Sequence, residues 1–346
     1  MDLKNCQIGI VGATGAVGVE MLQILESRGV PIANIRAMAS PRSAGKKLPY
    51  AGGSLVVDEL DIQRFGGIDV ALFSASGAVS REYAPAAVEQ GAYVVDNSSA
   101  FRMDPVVPLV VPEVNAKAMN NGNNGPRIIA NPNCSTIVML MAVTPIQRAF
   151  GCKRLVVSTY QAVSGAGAAA MDELVEQTEA VLGGDEPSPK IFGEPCAFNV
   201  FSHDSDVDPE TGRNVEEEKL IRETHKIWND ESVQITATCV RVGVLRAHTE
   251  SINITLATPA TEAEVRGALA VFDGVTIVDD RAGNNFPTPL KASGKDDVLV
   301  GRIRPDGGCM PDSAGRYERF DLLCSGDQLR KGAALNAIQI AERLER

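Results

Sequence analysis

The run Gln7-Ile8-Gly9-Ile10-Val11-Gly12, followed at once by Ala13-Thr14-Gly15-Ala16-Val17-Gly18, constrains the fold more than any other stretch of the chain. Its first half predicts a short buried strand, and the apolar residues Val17, Met21, Leu22 and Leu25 recur at helical spacing over 17–26. Gly12, Gly15 and Gly18 lie where strand gives way to helix. Gly12 permits a tight turn, Gly15 lets backbone N–H groups approach a pyrophosphate, and Gly18 lets the helix pack close on the sheet. A tight turn without a ligand is the plainer reading. The spacing G-x-x-G-x-x-G departs from G-x-G-x-x-G and points to a variant of the dinucleotide-binding turn.

Further strands are predicted at 34–39, 69–73, 93–96 and 127–130, with a helical stretch at 81–90. Alternating strands and helices imply right-handed crossovers and a parallel, Rossmann-like sheet of the α/β class. After Cys134 the texture changes: 155–161, 234–244, 251–256 and 317–323 read as strands separated by polar loops, an α+β second domain. The segment 328–346 is amphipathic, with Leu335, Ile338, Ile340 and Leu344 on its apolar face, and is expected to pack back on the first domain. The division is then 1–133 with 325–346, and 134–324. The Asn-, Gly-, Pro- and Asp-rich stretches 116–126 and 306–315 are predicted to be solvated loops.

A chain of 346 residues, 44% apolar, can bury two cores. A net charge of −11 with 5% aromatic residues argues against a nucleic-acid surface and gives no basic patch for a membrane, so a small metabolite is the expected partner. The N-terminus lacks the regions of a signal peptide and no apolar run reaches the ~18 residues of a membrane span, so a cytoplasmic location is expected. Seven scattered cysteines without a C-x-x-C pair, and only three histidines, suit neither a disulfide framework nor a metal site.

The second strand ends at Met38-Ala39-Ser40 and continues Pro41-Arg42-Ser43, with no acidic residue to hold a ribose 2′-hydroxyl. Arg42 can pair with a 2′-phosphate, and Ser40 and Ser43 can donate to it, which selects NADP(H); a solvated basic turn is the alternative. In Asn131-Pro132-Asn133-Cys134-Ser135-Thr136 an apolar strand runs through a turn into another apolar segment. If a helix starts at Ser135, its dipole favours a thiolate at Cys134, a candidate nucleophile; a small buried hydrophobe is the other reading.

With the glycine turn, the Asn131–Thr136 run and Cys239-Val240-Arg241-Val242 followed by His248, the chain resembles the bacterial aspartate-semialdehyde dehydrogenases. The likeness extends through Asp96-Asn97-Ser98-Ser99, Tyr160-Gln161-Ala162-Val163-Ser164-Gly165 and the stretches 216–219, 285–289 and 329–336. It implies that NADPH reduces L-aspartyl-4-phosphate to L-aspartate 4-semialdehyde and phosphate through a thioester on Cys134. This step serves lysine, threonine, methionine and diaminopimelate synthesis. His248 is then the acid/base residue, suited by an ordinary pKa near working pH. Arg241 is implied to clamp the substrate carboxylate and Glu216 to hold its ammonium. Arg102, Lys219 and Asn133 are implied phosphate ligands, and Gln161 is implied to orient the substrate or thioester. Ser164, Gly165 and Gln328, with Thr14, Ala16 and Val17 of the glycine turn, are implied cofactor contacts. A homodimer built on the second domain, or a tetramer assembled from it, is the implied assembly.

The chain departs from the family at Gly243, where proline is common, at Ala247, where glycine is common, and at Ser76, which replaces a glycine. The nearest alternative is an N-acetyl-gamma-glutamyl-phosphate reductase, whose substrate is one methylene longer and has a blocked amine. A free ammonium wants a carboxylate partner, so the presence of Glu216 beside Arg241 in the candidate set favours the aspartyl substrate. A catalytically silent NADP-binding paralogue is the alternative of another class, and the presence of both Cys134 and His248 speaks against it.

Overall fold

The computed structural model describes residues 1–119 and 127–345, and the chain divides into two compact units, Met1–Asn133 with Ala333–Arg346, and Cys134–Gly332. In the first, β1 (Ile8–Val11) leads through the glycine turn into α1 (Ala16–Ser27) and β2 (Ile35–Ala39). A hairpin, β3 (Lys47–Tyr50) and β4 (Gly53–Val56), precedes β5 (Asp58–Glu59), β6 (Val70–Phe73), α2 (Gly77–Glu89), β7 (Tyr93–Asp96), α3 (Pro112–Asn115) and β8 (Ile128–Ala130). Six strands form one sheet in the order β5-β2-β1-β6-β7-β8, every pairing parallel. The order reverses at β1, and such a switch point, at the carboxyl end of the strand, is where open α/β sheets bind ligands.

Both faces of this sheet are covered, which is why its strands read as continuous apolar runs. Ile8, Ile10 and Leu72 join α1 residues Met21, Leu22 and Leu25 and the C-terminal Leu335, Ile338 and Ile340 in one core cluster. Val11, Ala71 and Phe73 face the other way, with Ala84 and Ala87 of α2. The C-terminal helix forms only from Leu335 to Glu342, a π turn at Arg330–Ala334 preceding it. Residues 325–332, assigned from sequence to the first domain, lie in the second unit. The strand containing 325 and 326 stays hydrogen-bonded in that unit's sheet, and only beyond Gly332 does the chain return to the first.

The second unit opens with α4 (Cys134–Phe150) and β9 (Cys152–Gln161), followed by α5 (Ala168–Gly183), β10 (Val200–Ser202), α6 (Val215–Trp228), β11 (Gln234–Val242) and β12 (His248–Ala260). It closes with α7 (Glu262–Ala270), β13 (Val275–Ile277), α8 (Pro289–Ala292), β14 (Val298–Pro305) and β15 (Tyr317–Gly326). Its seven strands form a mixed sheet in the order β10-β11-β9-β12-β15-β14-β13. Of the two segments expected to be solvated, 306–315 is an exposed loop, whereas Ala116–Met119 is a 3₁₀ turn with Met119 buried and 120–126 lie outside the described residues.

Candidate active site

Strand register assembles one half of the site. Arg241 of β11 stands opposite Gln161 of β9, Thr249 opposite Tyr160, which puts His248 beside Gln161, and His248 pairs with Gly326 of β15. Paired residues share a sheet face, so Arg241, Gln161, His248 and Gly326 form one row. The helix α4 packs on this face. A Cβ at Gly326 would lie 2.8 Å from Val138 of α4, so the glycine lets the helix approach. Cys134, the first residue of α4, thereby comes over His248, with Sγ 3.4 Å from Nε2. The helix begins at Cys134 itself, one residue earlier than expected, and its dipole favours negative charge at the sulfur.

His248 is fully buried, and its Nδ1 accepts the backbone N–H of Ala162 at 3.0 Å. A neutral ring so held carries its proton on Nε2, toward the sulfur. Burial first, then the charge of Arg241, pushes the imidazole down to about 3. The near-neutral titration expected from sequence is thereby corrected: a desolvated ring whose second nitrogen already accepts a backbone N–H resists protonation. Ala247 sets the entry to β12 with φ 73° and donates its N–H to Gln328 Oε1 at 2.8 Å.

Other predicted residues converge on this row. Glu216, at the start of α6, is buried; its Oε2 accepts from Lys219 Nζ at 3.1 Å and its Oε1 from Gln161 Nε2 at 3.3 Å. Burying the carboxylate is tolerable because both oxygens are bonded. A Cβ at Gly165 would lie 3.4 Å from His248 and 3.5 Å from Arg241, so the bare backbone keeps the space flanked by them open. Gln328 is buried, its amide bonded to Ala247 and to Ser164 Oγ. One row deeper lie Cys239, Thr159, Glu250 and Cys324. Burial keeps the Glu250 carboxyl well above the usual range.

Sequence reading missed the partners of Arg241. Asp204 Oδ1 accepts from its Nη2 at 2.7 Å, and the Phe192 ring lies 5.0 Å beneath the guanidinium. Burial pushes the Asp204 carboxyl up, but the hydrogen bond and charge of Arg241 outweigh it and hold the group below the usual carboxylate range. Asp204 and Arg241 are 37 residues apart, and no local pattern signals the pairing.

The first unit holds the remaining residues. Arg102 is buried, with Nε donating to Asn131 O at 2.9 Å and Nη2 to Asn97 O at 2.7 Å, and Asn133 is likewise buried beside Cys134 in the chain. Gly12 has φ 84°, and a Cβ there would lie 2.1 Å from Ser74 O; one at Gly18 would lie 2.3 Å from Gly12 O. Packing alone demands these two glycines. At Gly15, the N-cap of α1, a Cβ would meet nothing nearer than 3.4 Å, so packing does not require glycine there and the bare backbone leaves the helix N-terminus open to close approach. Thr14 Oγ1 lies 3.3 Å from Ser43 Oγ, bringing the glycine turn against the 3₁₀ turn Pro41–Ser43, where Ser40 and Arg42 are exposed. Ser76 has a local reason: its side chain caps α2 by accepting from Val79 N–H. Gly243 has one too, since a Cβ there would lie 2.6 Å from Cys196 O. Among the described residues no three His, Cys, Asp or Glu side chains are grouped to hold a metal ion.

Comparison with known proteins gives the family. Family models described as semialdehyde dehydrogenase, NAD binding domain, and semialdehyde dehydrogenase, dimerisation domain, match residues 7–122 and 143–331. An aspartate-semialdehyde dehydrogenase from Synechocystis is 48% identical over 98% of this chain and 97% of its own. The chain belongs to the aspartate-semialdehyde dehydrogenase family. A crystal structure of the family's enzyme II from Vibrio cholerae, complexed with ASA, is 41% identical and superposes with a TM-score of 0.90, covering 98% of each chain. One from Candida albicans with NADP is 25% identical, with a TM-score of 0.71 and 98% of each chain covered. The family's fold, an NAD(P)-binding Rossmann-like domain with a mixed-sheet dimerisation domain, is the fold described above.

Proposed function

We propose that this chain catalyses the NADPH-dependent reductive dephosphorylation of L-aspartyl-4-phosphate to L-aspartate 4-semialdehyde and phosphate. As an oxidoreductase of the aspartate pathway it serves lysine, threonine, methionine and diaminopimelate synthesis. The observation that carries the reading is Cys134 Sγ at a helix N-terminus, 3.4 Å from a histidine nitrogen that bears the proton.

The Cys134 thiolate attacks the acyl carbon, the C–O bond to phosphate breaks, and a thioester on Cys134 forms. NADPH, when held by the first unit, would supply the hydride for reduction of this thioester. His248 donates an Nε2–H hydrogen bond to the oxyanion that develops at the thioester carbon, and holds it until the thiohemiacetal oxyanion collapses to aldehyde and thiolate. Arg241 and Glu216 hold the carboxylate and ammonium, while Arg102, Lys219 and Asn133 receive the phosphate. Gln161, bonded to Glu216 and beside His248, orients the thioester. Gly12, Gly15 and Gly18, with Thr14, Ala16 and Val17, cradle the pyrophosphate. Ser40, Arg42 and Ser43 take the 2′-phosphate. Gly165 and Ser164 would contact the nicotinamide, and Gln328 fixes Ser164 by its hydrogen bond.

The assembly we propose is a homodimer through the second unit, built on its exposed apolar side chains Leu182, Phe198 and Val200 and supported by the dimerisation-domain match. A tetramer would be a further association of such dimers. We place the protein's work in the cytoplasm, where cysteines that form no disulfide remain reduced. Among the described residues no helix is long and apolar enough to cross a membrane.

The test is NADP reduction in the reverse direction, with phosphate and either aspartate semialdehyde or N-acetylglutamate semialdehyde. Phosphate-dependent turnover of the first and not the second is expected. Preference for the second would favour the reductase of the longer substrate.

A further inference from the structure

Arg241 already meets a carboxylate of its own chain. Asp204 Oδ1 accepts from Nη2 at 2.7 Å and from Nε at 3.3 Å, so one oxygen covers the Nε/Nη2 edge of the guanidinium. Nη1 donates to Ala162 O at 3.0 Å, and Nη2 also lies 2.9 Å from His203 Nε2. The Nη1/Nη2 side is thus committed to the protein. A carboxylate that binds an arginine fork through two parallel hydrogen bonds needs one whole edge, and the edge suited to it is the one Asp204 holds.

The two partners are held unequally. Arg241 is 3% exposed, fixed by a backbone carbonyl and covered by the Phe192 ring, whereas the Asp204 side chain is 32% exposed, in the segment between β10 and α6. A buried guanidinium without an anion is strongly unfavourable, so a counter-charge must be present before substrate arrives. Asp204 supplies it, and its partial exposure gives it somewhere to go.

We propose that Asp204 is a resident counter-carboxylate that the substrate's α-carboxylate displaces from the Nε/Nη2 edge of Arg241, so that Asp204 sets substrate affinity by competition. This rests on Arg241 being the carboxylate clamp. A ligand that binds only the open form has its apparent affinity reduced by the fraction of molecules that are open. The sign follows: neutralising a competitor strengthens substrate binding, whereas neutralising a fixed buttress that aims Arg241 weakens it.

The experiment measures KM for aspartate semialdehyde and kcat separately in wild type, Asp204→Asn and Asp204→Glu, with acetate as an inert carboxylate inhibitor. In Asp204→Asn, KM should fall about three- to tenfold without a matching rise in kcat, and the inhibition constant of acetate should fall with it. Asp204→Glu, which keeps the charge, should stay within about twofold of wild type, and it serves as the check should the Asn variant fold poorly. A KM unchanged or raised in Asp204→Asn, or a fall of equal size in Asp204→Glu, overturns the proposal. Wild type that does not turn over aspartate semialdehyde, or Arg241→Leu with an unaltered KM for it, breaks the functional reading instead and is seen in separate arms.

Discussion

The backbone N–H of Ala162 donates to Nδ1 of His248 at 3.0 Å, and this bond determines which ring nitrogen faces the chemistry. With Nδ1 accepting, the neutral ring presents Nε2–H to Cys134. The histidine is therefore set as a hydrogen-bond donor to the oxyanion rather than as the cationic partner of a stable thiolate–imidazolium pair. Thiolate stabilisation then falls to the N-terminus of α4 and to the Nε2–H hydrogen bond.

His248→Ala should lower kcat by about 10²- to 10³-fold while NADP binding persists, because a donor to the oxyanion is lost and no cofactor contact is. Since burial and Arg241 push the ring down to about 3, kcat/KM should show no limb from His248 near its ordinary 6.5. The linkage sign is that of a group depressed on folding: the stability from keeping the ring neutral is fully present above 6.5 and is lost as pH falls toward about 3. Urea midpoints of wild type and His248→Gln, compared through that window, check this. A wild-type curve no steeper than the variant's would contradict it.

Cys134→Ala should abolish turnover, and Cys134→Ser should keep only a trace, the hydroxyl being the weaker nucleophile. Mass spectrometry of wild type quenched during turnover should find an acyl adduct on Cys134. Near-normal rates in the alanine variant would remove Cys134 from the chemistry.

Arg102 and Arg241 should separate kinetically. Arg102→Leu should raise the KM for phosphate more than that for aspartate semialdehyde, and Arg241→Leu the reverse. Lysine should not rescue a bidentate contact at either, since it lacks the planar fork. Identical effects from both variants would contradict the division.

Arg42 lies exposed in the turn after β2, with no acidic residue between Ser40 and Lys46. Arg42→Ala should raise the KM for NADP about tenfold, the change that about 1.4 kcal/mol represents, and leave that for NAD nearly unaltered. Wild-type preference for NAD would refute the assignment.

Gly326→Ala would set a methyl 2.8 Å from Val138, forcing α4 away from β12. Overpacking of this kind costs about 1–3 kcal/mol of stability. A displacement of Cys134 from His248 of about 1 Å should in addition cost on the order of 10²-fold in kcat. Loss of stability with kcat retained would show that α4 does not locate the nucleophile.

Local pattern was enough for the parallel sheet and its glycine turn. Continuous apolar strands, helical periodicity and glycines at close approaches are short-range consequences of burial and sterics, so Ile8–Val11, Ala16–Ser27 and Tyr93–Asp96 were legible within a residue or two. Cys134 was legible from its place before a helix start, whereas Gln161, Arg241 and His248 were candidates only through the family resemblance. What set them side by side was the register of β9, β11 and β12 and the approach of α4 permitted by Gly326, each a pairing of residues far apart in the chain. Desolvation and partner choice are likewise properties of the packed molecule. His248 loses its ordinary titration only when it is buried within reach of the charge of Arg241, and Arg241 acquires Asp204 only when the loop after β10 reaches it. The return of the chain to the first unit beyond Gly332, and not at 325, was decided by β15 remaining in its sheet through Gly326, a hydrogen-bonding choice that the apolar periodicity of 328–346 does not encode.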